Sequence, residues 1–284
     1  MLDQVKISQL HEAITRLDSV AVAFSGGADS TLLLAVSLQV LGPEHVLAIT
    51  ADSPTLPRSE LEEAQALARD LGARHLIVAT DEMHDERFVA NPPDRCFYCK
   101  QELFTRMRRL ADEQGYRHLV YGATADDVGD LRPGMRAASE AGATAPLLDA
   151  GLSKQDVRDL SRQLGLRTWD KPSMACLSSR FPYGTPLTTE GLTRVEQAEE
   201  FLRRELGFRQ VRVRDQEAVA RIEVEGADLL RLVQEPLRSE IVVRLKSLGY
   251  TYVTLNLEGF RSGSLNDVLP EQWRVGSRAV HRDV

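Results

Sequence analysis

The sequence predicts an α/β fold, a parallel sheet covered by helices, followed by a second, smaller α+β domain. Three observations predict it. Short runs that are apolar throughout recur at intervals of about 30 residues, each next to a helical pattern. Those runs lack the two-residue alternation of a half-exposed strand, which disfavours an antiparallel α+β arrangement. Beyond about residue 175 the strands do alternate, as in Val211-Arg-Val-Arg214 and Val219-Ala-Arg-Ile-Glu-Val224. The expected division is 1–175 and 176–284.

Each element follows from local pattern. Leu10, Ile14 and Leu17 have helical spacing over residues 8–18. Val20–Phe24 is a buried strand ending in Ser25-Gly26-Gly27, and Thr31–Val40 is an apolar helix. Val46–Thr50 is the second strand, Leu61–Leu71 a helix stopped by Gly72, and His75–Ala79 the third strand. A helix over Tyr98–Gln114 leads to the fourth strand, His118–Gly122. The helix Ser153–Leu164 opens on an N-cap serine and closes at Gly165. The second domain carries a long helix (Thr189–Leu206), two alternating strands, a helix (Glu235–Leu248) and a final strand (Tyr250–Leu255).

The chain has 284 residues, 35 Lys+Arg against 42 Asp+Glu, and a net charge of −7. Residues 180–284 hold 16 basic and 16 acidic side chains, so the acid excess lies in the first domain. Neither part is a basic nucleic-acid-binding module by bulk charge. No apolar run approaches the roughly 20 residues of a membrane-spanning helix, and the N-terminus lacks a signal-peptide pattern. A cytoplasmic protein is expected. Three cysteines, an odd and sparse count, argue against a disulfide framework.

Ser25-Gly-Gly-Ala-Asp-Ser30 lies between a buried strand and a helix start. Gly26 and Gly27 let the backbone approach an anion, while helix amides and the hydroxyls of Ser25 and Ser30 donate to phosphate oxygens. Asp29 would repel phosphate unless it holds Mg²⁺ or orients the loop. The Walker pattern is absent. The hexapeptide resembles the SGGxDS loop of the PP-loop ATP pyrophosphatases. That resemblance implies ATP as cosubstrate and release of pyrophosphate. It also implies nucleotide-site roles for Asp52 and Ser53 after the second strand, and for Thr124 and Asp127 after the fourth.

Cys96-Phe-Tyr-Cys99 precedes a helix, and Cys176 lies in Pro172-Ser-Met-Ala-Cys-Leu-Ser-Ser-Arg-Phe181. No fourth ligand completes a structural zinc site, and a thioredoxin-type pair would follow the first strand. Three thiolates can ligate a 4Fe-4S cluster and leave one iron open. Inert buried cysteines are the plain alternative.

Together, Ser25–Ser30, Asp52-Ser-Pro-Thr55, Pro57-Arg-Ser-Glu60, Asp94-Arg-Cys-Phe-Tyr-Cys-Lys100, Lys171-Pro-Ser-Met-Ala-Cys-Leu-Ser-Ser-Arg-Phe-Pro-Tyr-Gly184 and Val211–Arg214 resemble the LarE family. These are ATP-dependent sulfur transferases of nickel-pincer nucleotide biosynthesis. The resemblance covers about residues 5–270 and implies a PP-loop ATP pyrophosphatase fold for the first domain.

It also implies a reaction. A carboxylate of pyridinium-3,5-dicarboxylic acid mononucleotide is adenylated, and a sulfur nucleophile displaces AMP to give a thiocarboxylate. Cys96, Cys99 and Cys176 match the members that use a 4Fe-4S cluster. Single-cysteine members sacrifice the residue matching Cys176 as sulfur donor. Cys176, Ser179 and Arg180 are the expected catalytic residues, and Lys100, Arg212 and Arg214 bind the substrate's anionic groups. Glu200 and Glu223 match acidic positions that hold metal or position groups, with Glu196 and Glu199 as neighbours able to take the Glu200 role. A homo-oligomer is implied, with an upstream carboxylase/hydrolase and a downstream nickel-inserting enzyme.

Two related activities compete. A tRNA thiolase of the same superfamily needs a polyanion-binding surface, which the charge balance disfavours. An amidotransferase-type synthetase has no use for the three cysteines. A noncatalytic nucleotide-binding regulator is the reading from a different class.

Overall fold

The computed structural model describes residues 4–128, 133–172 and 174–270. Ser173, within the Lys171–Gly184 motif, and residues 271–284 of the second expected domain lie outside the described residues. The chain forms two units: residues 1–82 with 94–174, and residues 83–93 with 175–284.

In the first unit the elements run α1 (Gln4–Thr15), β1 (Val20–Ala23), α2 (Ala28–Leu41), β2 (Val46–Asp52), α3 (Arg58–Asp70) and β3 (Arg74–Ala79). The short α4 (Glu86–Val89) belongs to the second unit. The first unit resumes with α5 (Arg95–Glu113), β4 (His118–Tyr121), α6 (Pro133–Glu140), α7 (Pro146–Asp149) and α8 (Lys154–Gln163). The sheet is parallel throughout, in the order β3-β2-β1-β4, with Val20 level with Val46 and His118.

Successive strand residues face opposite sides, and both sides are buried. Val20, Val22, Val46 and Ala48 pack with α1, α2 and α8, while Ala21, Leu47, Ile49 and Leu119 pack with α5. That explains the continuous apolar runs. The chain leaves β1 toward β2 and β3, then returns to β4 on the other side. This reversal opens a crevice beyond the ends of β1 and β4, where open parallel sheets bind ligands.

The second unit comprises α9 (Thr189–Glu200), a π-helical turn (Phe201–Glu205), β5 (Val211–Gln216), β6 (Val219–Val224), α10 (Leu229–Val233), α11 (Leu237–Ser247) and β7 (Tyr252–Leu255). β5 pairs antiparallel and β7 parallel with β6. Asn91 ties residues 83–93 into this unit: its side-chain amide donates to the carbonyls of Pro182 (2.8 Å) and Thr185 (3.0 Å).

Alternation in Val211–Arg214 predicts one exposed face, and here the structure differs. Arg212 and Arg214 are 3% and 6% exposed. Buried carboxylates neutralise that face, so its polar residues are not solvated.

Candidate functional site

In the first unit the loop after β1 turns through Gly26 in the left-handed region, with φ of 69°. A Cβ there would lie 3.2 Å from Ala64 of α3, so glycine meets both a torsional and a packing demand. Gly27 is the N-cap of α2 and supplies no side-chain cap, leaving helix-start amides for an anion. The Ser25 and Ser30 hydroxyls lie 3.1 Å apart, and Ser30 donates to the Gly27 carbonyl. Beyond β4, a Cβ on Gly122 would approach the Ser30 nitrogen to 2.9 Å. The crevice therefore brings the β4 exit against the start of α2.

A lysine absent from the sequence reading completes this crevice. Lys154 Nζ lies 2.5 Å from Asp29 Oδ2 and 3.3 Å from Asp127 Oδ2. Asp127 also accepts from the Thr124 amide and hydroxyl at 2.8 and 3.0 Å, a capping box. A signal was present: a cation in the first turn of α8 opposes the helix dipole and calls for a local anion. Lys171, 12% exposed, donates to the Gly26 carbonyl and to Glu60 and Glu63 at 2.8 and 2.9 Å.

The neighbouring loop after β2 holds Asp52 and Ser53. Asp52 pairs with Arg58, and Ser53 donates to the buried Glu82. Behind it, the Thr50 hydroxyl donates to the Phe24 carbonyl (2.7 Å), so its contact with His75 Nε2 (2.8 Å) has the ring donating. Burial, with help from Arg69, lowers the His75 pKa and favours the neutral ring.

Cys96 and Cys99 lie within the N-terminal end of α5 rather than ahead of it, with Cys96 exposed and Cys99 half-buried. Lys100 follows them, exposed.

In the second unit Cys176 caps a short 3₁₀ turn, Leu177–Arg180. Its Sγ lies 3.7 Å from the Ser178 hydroxyl, and Ser179 Oγ donates to the Cys176 carbonyl at 2.8 Å. Arg180, expected among the reacting groups, is 0% exposed. Its Nε and Nη2 each donate to Glu199 at 2.8 Å, and Nη1 donates to the carbonyls of Ala175 (2.7 Å) and Cys176 (3.0 Å). These bonds tie it to the backbone of the cysteine loop.

Arg214 is held likewise: Glu223 accepts from it at 2.9 and 2.7 Å, while its Nη1 donates to the Ser179 carbonyl at 2.7 Å. Burial above all, then repulsion by Arg180, lowers the Arg212 pKa to about 10.

The acidic positions differ in their surroundings. Glu200 is half-exposed and pairs with Arg204 at 3.0 Å, whereas Glu199 is the buried carboxylate. Glu223 is enclosed, its two oxygens paired with Arg214 and Arg221. Among the described residues no group of three or more His, Cys, Asp or Glu is gathered to hold a metal ion. Cys96 and Cys99 belong to the first unit and Cys176 to the second. Among the described residues no helix is long and apolar enough to cross a membrane.

Comparison with known proteins agrees with this architecture. Residues 6–125 match the NAD synthase family. The chain is 46% identical to an uncharacterized protein of Synechocystis sp., across 93% of this chain and 98% of that one. It is 41% identical to the pyridinium-3,5-bisthiocarboxylic acid mononucleotide synthase of Lactiplantibacillus plantarum, across 93% of this chain and 95% of the relative. An uncharacterized protein of Methanocaldococcus jannaschii is 30% identical across 86% and 91%.

Proposed function

The chain belongs to the LarE family of thiocarboxylate-forming enzymes, and on that premise we propose ATP-dependent sulfur transfer to pyridinium-3,5-dicarboxylic acid mononucleotide. The observation that carries the reading is the Ser25–Ser30 loop at the uncapped start of α2, with Lys154 bridging Asp29 and Asp127 beside it.

In the first step a substrate carboxylate oxygen attacks the α-phosphorus of ATP, and the bond to pyrophosphate breaks. Negative charge builds on the leaving group. The α2 amides and the Ser25 and Ser30 hydroxyls would bind those oxygens, with Lys154 supplying a cation. Asp29 and Asp127 already converge on one cation, a donor set that suits Mg²⁺. In the second step a sulfur nucleophile attacks the acyl carbon and AMP leaves, so a mixed anhydride replaces a poor leaving group with a good one.

Three thiols outside any disulfide are chemically suited to a 4Fe-4S cluster. Cys96, Cys99 and Cys176 would hold it, and when bound it would supply sulfide through its open iron. A second reading has Cys176 act alone. Its thiolate displaces AMP to form a thioester, and β-elimination releases thiocarboxylate and leaves dehydroalanine. The half-exposed Cys176 thiol, on a loop whose backbone Arg180 holds, favours this reading.

The substrate's phosphate and second carboxylate require cations. Lys100, Arg212 and Arg214 remain the proposed contributors, Arg212 because an incoming anion would relieve repulsion from Arg180. A cytoplasmic homo-oligomer between an upstream carboxylase/hydrolase and a downstream nickel-inserting enzyme completes the proposal.

The test is anaerobic incubation with ATP, Mg²⁺ and the dicarboxylated mononucleotide, followed by mass measurement of products and protein. AMP, pyrophosphate and a sulfur-bearing nucleotide are expected, with iron and acid-labile sulfide in the protein and Cys176 intact. Iron-free protein ending with dehydroalanine at 176 selects the sacrificial route. Absence of any thiocarboxylate overturns both.

A further inference from the structure

We propose that Glu199 is a positioning residue for sulfur delivery, acting through Arg180 on the backbone of Cys176. The proposal rests on the sulfur-transfer reading above.

Glu199 and Arg180 are each 0% exposed. Burying such a pair gains little stability over an apolar pair of equal volume, because desolvation offsets the attraction. What the pair does accomplish is directional. Two of the guanidinium nitrogens are taken by Glu199 at 2.8 Å. The third is thereby aimed at one loop, where it reaches the Ala175 carbonyl, the Cys176 carbonyl and the Ser179 hydroxyl at 2.7, 3.0 and 2.9 Å. Glu199 Oε1 also accepts from the Val213 amide at 2.9 Å, joining α9 to β5. The reference frame for Cys176 is therefore the core of the second unit.

A second fork grips the same loop from β5. Arg214, fixed by Glu223, donates to the Ser179 carbonyl at 2.7 Å. Backbone carbonyls at 175, 176 and 179 are thus held by guanidiniums, while the Cys176 thiol stays half-exposed. A thiol that must meet an acyl adenylate gains from a fixed backbone, since a misplacement of about 1 Å can cost about a hundredfold in rate.

The chemistry distinguishes the two oxygens of Glu199 from a merely polar filler. Glutamine cannot accept from both Arg180 Nε and Nη2, and its amide would face a guanidinium hydrogen. Aspartate keeps the charge and both acceptors but is one methylene shorter. Glu199→Gln should therefore release Arg180, and Glu199→Asp should restore part of its hold.

The test compares wild type, E199Q, E199D and R180K in the full chain. Two readouts are taken: AMP and pyrophosphate release against thiocarboxylate formation, and the rate of Cys176 alkylation by iodoacetamide in protein freed of iron, read by peptide mass. E199Q is expected to lower thiocarboxylate formation by about ten- to a hundredfold and to change the alkylation rate severalfold. Adenylation should change less than threefold, and E199D should lie between E199Q and wild type. R180K gives the same discrimination if E199Q does not fold. Equal losses in adenylation and sulfur transfer, or alkylation rates identical in all four proteins, would overturn the proposal. Wild-type protein that adenylates nothing would instead overturn the functional reading beneath it.

Discussion

Lys154 Nζ lies 2.5 Å from Asp29 Oδ2, joining the first turn of α8 to the first turn of α2 across 125 residues of chain. Asp127, from the exit of β4, reaches the same ammonium at 3.3 Å. Three segments that enter the crevice separately are thus fastened by one cation. Lys154→Met should raise the KM for ATP by about tenfold or more, because two carboxylates would then face the incoming phosphates unneutralised. Initial-rate kinetics with varied ATP check this. An unchanged KM would remove Lys154 from the nucleotide site.

Gly122 makes a steric prediction. A methyl at this position meets the Ser30 nitrogen at 2.9 Å, whereas one at Gly72 meets nothing within 4 Å. Gly122→Ala should displace the start of α2, costing about 1–3 kcal/mol of stability and weakening ATP binding. Gly72→Ala carries only the torsional penalty of its positive φ, so it should lower stability without altering nucleotide affinity. Denaturant unfolding and calorimetric titration separate the two effects.

Acid stability should register the Lys6–Asp156 pair at the start of α8. The hydrogen bond from Lys6 chiefly, then that from the Ser153 amide, lowers the Asp156 pKa to about 2. A carboxyl depressed in the folded state contributes stability that is present above its ordinary range and lost as pH falls through about 2. Unfolding curves of wild type and Lys6→Met should therefore differ most above pH 4 and converge near pH 2. A constant difference across that range would contradict the assignment.

Glu199 and Glu200 should separate cleanly in stability. Glu199→Gln breaks a fully enclosed ion pair and should cost about 3 kcal/mol or more. Glu200→Gln alters a partly exposed helix pair with Arg204 and should cost about 0.5 kcal/mol or less. Equal costs would mean the enclosed pair carries no structural weight.

Much of the first unit was legible because its strands are buried on both faces. Val20–Ala23 and Val46–Asp52 stand out as apolar runs, and Ser153 marks a helix start by its chemistry. The site beyond the phosphate loop was less so. Lys154 and Lys171 belong to no spaced pattern, and their partners lie more than 100 positions away for Asp29, Glu60 and Glu63. The short helices α6 and α7 have too few turns to show a period.

The arginines of β5 illustrate a different limit. Val-Arg-Val-Arg reads as a strand with a wet face, and nothing within those four residues says otherwise. Burial depends on Glu199, 14 residues before Val213, and on Glu223, nine residues after Arg214 on the paired strand. Cross-strand charge pairing supplies the missing information, and it becomes visible only once register is known.

The central claim is that a substrate carboxylate is first joined to AMP and then exchanged for sulfur. Labelling the carboxylate oxygens of the dicarboxylated mononucleotide with oxygen-18 tests it most directly. One labelled oxygen should appear in AMP for each sulfur gained by the nucleotide, read by mass spectrometry of both products. Thiocarboxylate formed with unlabelled AMP, or with ADP in its place, would contradict the account.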